Sequence, residues 1–108
     1  MSSPISYSQR GGAAIGSRCA SWPFGLIEIS PGSVTVSVLG KTKTLGVAEV
    51  LRVESLGWLA AEEGPGVRIF FRGQHWEEFV DFYSFSGWGD VLDELKKAGF
   101  NVVEKPRS

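Results

Sequence analysis

A single amphipathic helix near the end of a chain of alternating strands is the feature that most restricts the fold. In "SGWGDVLDELKKAGFNVVE", residues 86–104, helical phase of about 100° per residue gathers Trp88, Val91, Leu92, Leu95 and Ala98 into a stripe about 120° wide. Asp90, Asp93, Glu94, Lys96 and Lys97 lie outside that stripe. Gly99 stands where a left-handed residue ends a helix, and Phe100 is placed to fold back on Leu95. The acids sit toward the start and the two lysines in the last turn, which suits the helix dipole. Ser86 and Gly87 are both acceptable at the N-cap. One face of this helix must be covered, and only strands remain to cover it.

Those strands are legible from period-two patterning. "SVTVSVL" puts Val34, Val36 and Val38 on one face with Thr35 and Ser37 on the other, after a turn at "SPGS" that follows Leu26, Ile27 and Ile29. "TKTLGV" and "EVLRVES" follow, the latter with Leu51 and Val53 on one face and Arg52 and Glu54 on the other. "AEEGPG" separates this meander from a second one, made of "VRIFF" and "EEFVDFYSF" around the turn "RGQHW". Six strands are expected, with a seventh around Trp58 to Ala61. Residues 1–20, rich in Ser and Gly and without periodicity, are expected to form a flexible arm ahead of a single domain over 21–108. The whole is mainly β: an antiparallel roll or barrel closed by one C-terminal helix.

Composition narrows the function classes. A chain of 108 residues buries roughly two-thirds of its unfolded surface without needing a disulfide or a metal. A formal charge of -1 argues against a nucleic-acid binder that neutralises many phosphates, and equally against a purely electrostatic membrane binder. Cys19 is the only cysteine and His75 the only histidine, so neither an intramolecular disulfide nor a His-based metal cluster can form. Cys19 is expected to be incidental, and the Arg18 before it breaks the apolar run a lipidated cysteine would need. No stretch approaches the ~20 apolar residues of a membrane span, and a cytoplasmic location is expected.

Gly40, Lys41 and Thr42 resemble the end of a phosphate loop, but Thr35 occupies the place of its first glycine and a strand follows, so a hairpin turn suffices. His75 beside Glu77, Glu78 and Asp81 reads as a polar turn rather than a general base. Without a GxSxG elbow, an HExxH or a second histidine, no enzyme and no cofactor is expected.

The order of elements resembles the bacterial pleckstrin-homology-like (PH-like) domains. It is carried by "SWPFGLIEISPGSVTVS", "TLGVAEVLRVES", "VRIFF", "FVDFYSF" and "GWGDVLDELKKAGFNV" over residues 21–104. The resemblance implies a non-enzymatic binding or scaffolding module for proteins, peptides or lipid headgroups. Lipid-binding members hold the headgroup with cations around the first hairpin loop. Here that loop is "SPGS", with no basic residue, and Lys41 and Lys43 in the next turn are the only nearby cations, so the lipid site does not carry over.

The second meander raises the sharpest question. Phe79 and Tyr83 share one face and Val80 and Phe82 the other, while Phe70 opposes Val67, Ile69 and Phe71. With both faces apolar, something must cover Phe70, Val80 and Phe82. The cover is either intramolecular, from the N-terminal arm, Trp58, Trp76 or bends in the strands, or an interface with a second copy or a partner protein. Phe70, Val80, Phe82, Trp58 and Trp76 are the candidate interface residues. A protein-binding or self-associating module is therefore expected, with a peripheral lipid module based on Trp22, Phe24 and Trp58 as the alternative.

Overall fold

A computed structural model describes residues 6–55, 66–74, 76–84 and 87–103. The strands are β1 (Tyr7–Ile15), β2 (Arg18–Ser30), β3 (Ser33–Val38), β4 (Lys41–Gly46), β5 (Val50–Ser55), β6 (Gly66–Arg72), β7 (Glu77–Tyr83) and β8 (Val102–Val103), with α1 (Trp88–Lys97) before β8. Among the described residues these eight strands form one sheet in the order β4-β3-β2-β1-β7-β6-β5-β8. β8 runs parallel to β5 and the other neighbours are antiparallel. The sheet is not closed: β4 and β8 are its edges. It is nevertheless rolled, because Lys43 Nζ on β4 reaches across the interior to within 4.7 Å of the Phe71 ring centroid on β6. An inward-pointing cation on an edge strand also discourages pairing with another chain.

The expectation of a flexible arm over residues 1–20 is corrected by β1. Residues 7–15 pair with β2 on one side and, from Gly12 to Ile15, with β7 on the other, so they join the two meanders. The Gly-Gly pair that reads as a linker is a packing requirement. A Cβ on Gly11 would strike the Tyr83 carbonyl and the Phe82 ring, and one on Gly25 would lie 2.5 Å from the Gly12 backbone and 2.9 Å from Ala13 Cβ. Glycine here marks backbones that approach too closely for a side chain.

A second correction concerns β5. Val50 pairs with Phe71 and Arg52 with Phe70, so Leu51 is the extra residue of a bulge. Val50 packs on the core, with Val53 fully buried beyond it, and Leu51 is displaced from the face that alternation would give it.

The core lies inside the roll. Val34, Val36, Val38 and Leu45 from one half meet Val53, Val67, Ile69, Val80 and Phe82 from the other, and Val91, Leu92 and Leu95 of α1 cover them. Trp88 and Ala98 pack at the margin, so the stripe read from the sequence is the buried one. The helix ends as expected: Gly99 has φ of 102°, Phe100 N–H donates to the Leu95 carbonyl at 3.0 Å and Gly99 N–H to that of Lys96 at 3.1 Å. Gly32 N–H, in the β2–β3 turn, donates to the Ala98 carbonyl at 3.0 Å and fastens the helix end to the sheet.

Two substitutions test this arrangement by chemical denaturation. Leu95→Ala leaves a cavity beneath the helix and is expected to cost about 2–5 kcal/mol. Gly25→Ala overpacks the β1–β2 crossing and is expected to cost about 1–3 kcal/mol, whereas a mobile arm over 1–20 would make that change neutral.

Candidate functional site

Register decides which face of the second meander needs a cover. Val67 pairs with Phe82 and Ile69 with Val80, so Val80 and Phe82 share the inner face with Val67, Ile69 and Phe71. Phe82 is 0% exposed in the core. Neither residue is available to a partner, which removes both from the candidate interface.

The outer face carries Phe70 and Phe79, which pair across β6 and β7 with ring centroids 5.9 Å apart in an edge-to-face arrangement. Their cover is their own arginines. Arg52 Cζ lies 3.9 Å from the Phe70 centroid and Arg68 Cζ 4.0 Å from that of Phe79. Each guanidinium is held in place by carboxylates. Arg68 donates to both oxygens of Asp81 at 2.8 and 2.9 Å, and the Tyr83 hydroxyl donates to Asp81 Oδ2 at 2.8 Å. Arg52 donates to both oxygens of Glu77 at 2.9 and 3.1 Å and to Glu54 at 2.7 Å. These bonds raise the pKa of both arginines above the ordinary value and lower that of Glu77. Asp81, only 2% exposed, has its charge fully engaged. This face is an internally satisfied ionic lattice over two rings, with little left for a ligand.

Phe70 is thus half-buried under Arg52, while Phe79 remains 45% exposed. Trp76, 72% exposed, stands beside an open groove of about 440 Å³ with Leu51, Arg72, Gly73, Gln74 and Glu77. Trp58 and the expected strand around it, and His75, lie outside the described residues. Among the described residues no group of His, Cys, Asp and Glu could hold a metal ion, and no helix is long and apolar enough to cross a membrane.

The other exposed aromatics lie in β2. Gly11 pairs with Gly25 and Ala13 with Ala20, so four residues, Ser21 to Phe24, stand opposite the single residue Gly12. β3 reaches no further than Val38 opposite Gly25, so nothing pairs with those four residues on that side either. They are expelled from the ladder as a wide bulge across a cis Trp22–Pro23 peptide. Trp22 is 69% and Phe24 58% exposed. Leu39, also exposed, follows Val38 at the β3–β4 turn, next to where Phe24 precedes Gly25.

Cations gather at this end. Arg10 donates to the Pro23 carbonyl at 3.2 Å and Arg18 to the Leu39 carbonyl at 3.0 Å, while Lys41 Nζ lies 3.8 Å from where a Gly16 side chain would begin. From Tyr7 to Gly46 the chain has four cations, Arg10, Arg18, Lys41 and Lys43, against one acid, Glu28. The net charge of -1 therefore conceals a basic first half and an acidic remainder.

No family model matches the chain, and no curated protein matches it. Among solved structures it is similar to the Spt16D Pob3N heterodimer, with a TM-score of 0.60 at 15% identity over 97% of this chain. The fold is PH-like. The chain spans 58% of that neighbour's length. In this PH-like domain the first hairpin is β1–β2, with its tip at Gly16 and Ser17, and "SPGS" is the second turn. Arg18 stands beside the β1–β2 tip and Lys41 Nζ adjacent to it.

The Arg52–Glu77 pair gives the domain an acid-sensitive contact. Because Glu77 titrates below its ordinary 4.5 when folded, its contribution is present above that value and is lost as pH falls through the folded pKa. Urea titrations from neutral pH to below 4.5 should show wild-type stability declining on the acid side, with Arg52→Gln lower at neutral pH and less steep in acid.

Proposed function

We propose that this chain is a non-enzymatic protein-docking module that binds through the β2 bulge and the β3–β4 turn. The observation that carries the reading is the exposure of Trp22, Phe24 and Leu39 together at one end of the domain, three of the six large apolar side chains exposed among the described residues. Core packing gives no reason for a Trp and a Phe at those positions, since neither belongs to the buried cluster. Large aromatics with a pre-set backbone are the residues that anchor protein interfaces, where most of the binding energy resides in a few side chains. The structural neighbour, described as a heterodimer, is consistent with a fold that works through protein contacts. Of the interface residues expected from the sequence, Val80 and Phe82 are in the core and Phe70 lies under Arg52, so the outer face of β5–β7 is the weaker surface.

A photo-crosslinking amino acid at Phe24, compared with one at Thr35 on the polar outer face of β3, tests the reading in cells. The expected result is a Phe24-dependent protein adduct that disappears on Trp22→Ser while the melting temperature stays unchanged. Light scattering of the purified chain then assigns the adduct to a second copy or to another protein. Equal labelling at both positions overturns the surface.

A further inference from the structure

Taking that docking surface as given, we infer that its occupant is an extended segment of another protein in which acidic residues accompany apolar ones. Three observations meet at the bulge. The first is charge: Arg10 at the Pro23 carbonyl, Arg18 at the Leu39 carbonyl and Lys41 beside Gly16 lie at the end that carries the exposed apolar residues, and none has an ion-pair partner among the described residues. The second is geometry. Arg10 and Arg18 each use one Nη on a neutral carbonyl, Pro23 or Leu39, which positions the guanidinium while leaving its charge and remaining N–H groups directed to other acceptors. A held guanidinium selects planar carboxylates, where a loose ammonium would offer only a point charge.

The third is the backbone. Ser21 to Phe24 are extended yet have no strand partner in register on either side. Pro23 has no N–H and its carbonyl accepts from Arg10, but these residues face no registered strand, so a segment can lie alongside them as in strand addition to a sheet. That same feature disfavours insertion into a bilayer, because main-chain groups carried into its hydrocarbon lose water and gain nothing in return. It also disfavours stacking of nucleic-acid bases, which would leave those backbone donors unmatched. A polypeptide supplies all three complements at once: carboxylates for the cations, apolar side chains for Trp22, Phe24 and Leu39, and a backbone for the bulge.

The test uses the full chain on an array of short peptides in which Asp or Glu alternates with Leu, Val or Phe, beside the same peptides with Lys replacing every acid. Binding is expected on the acidic set alone, and to weaken as salt rises from about 50 mM to about 500 mM. The double variant Trp22→Ser, Phe24→Ser should weaken it at least about tenfold. The double variant Arg18→Glu, Lys41→Glu should transfer preference to the Lys set, a gain that misfolding cannot produce. Equal binding to both sets, or failure of the charge reversal to change preference, overturns the inference. So does binding only to phosphatidylglycerol vesicles or to oligothymidylate. A Phe24 adduct whose cross-linked partner segment is basic overturns the acidic occupant while leaving the docking surface in place.

Discussion

The domain depends on one steric condition: three backbones must come together where β1 crosses between β2 and β7. β1 is the strand that joins the meander β1–β4 to the meander β5–β7. It does so through residues with little or no side chain, since Gly11 has Tyr83 and Phe82 against it and Gly25 has Gly12 and Ala13. Close approach brings the Phe82 ring onto the core, where Ala13 pairs opposite it and Val67 on its other flank. Larger residues at this crossing would hold the two meanders apart, leaving α1 without a closed surface to cover.

That condition also explains which parts of the fold were legible in the sequence. The helix, its buried stripe and its C-terminal cap follow from interactions between residues three to five apart, and they stand as read. The alternation of β3 likewise states its own faces, because one side is valine and the other hydroxyl. β1 does not announce itself, because the glycines that its neighbours require carry no hydrophobic pattern. Without β1, the turn at "SPGS" reads as the first hairpin, whereas it joins β2 to β3. The faces of β7 were ambiguous for a different reason: with Phe79 and Tyr83 opposing Val80 and Phe82, only the register with β6 can assign them.

The outer face of β5–β7 shows how an apolar sheet face can be made compatible with water without a partner. Phe70 and Phe79 each carry a guanidinium over the ring, and acids fix those guanidinia in place. The residues that do this, Arg52, Glu54, Arg68, Glu77 and Asp81, alternate with the core positions and look in sequence like an ordinary wet face. Long cationic side chains bury their stems against apolar surface while keeping charge at the boundary. The question raised by two apolar faces therefore has an answer inside the chain: β1, read from the sequence as part of an arm, packs against Val80 and Phe82, and the arginines cover Phe70.

What is left after the fold is accounted for is "SWPFG". Its glycine is demanded by the β1 crossing, and its bulge follows from fitting four residues opposite Gly12, where a Cβ would lie 2.9 Å from the Ala20 carbonyl. Neither requirement specifies an aromatic. Serine at Trp22 and Phe24 would satisfy the same backbone and spare the domain two exposed rings, which in a small protein invite non-specific association. The charges point the same way: Arg10 and Arg18 bond to the Pro23 and Leu39 carbonyls at this end, while most acids come after Gly46 in the sequence. A chain indifferent to this end would have no reason to separate its charges so, and a surface that folding does not require is the place where binding chemistry can reside.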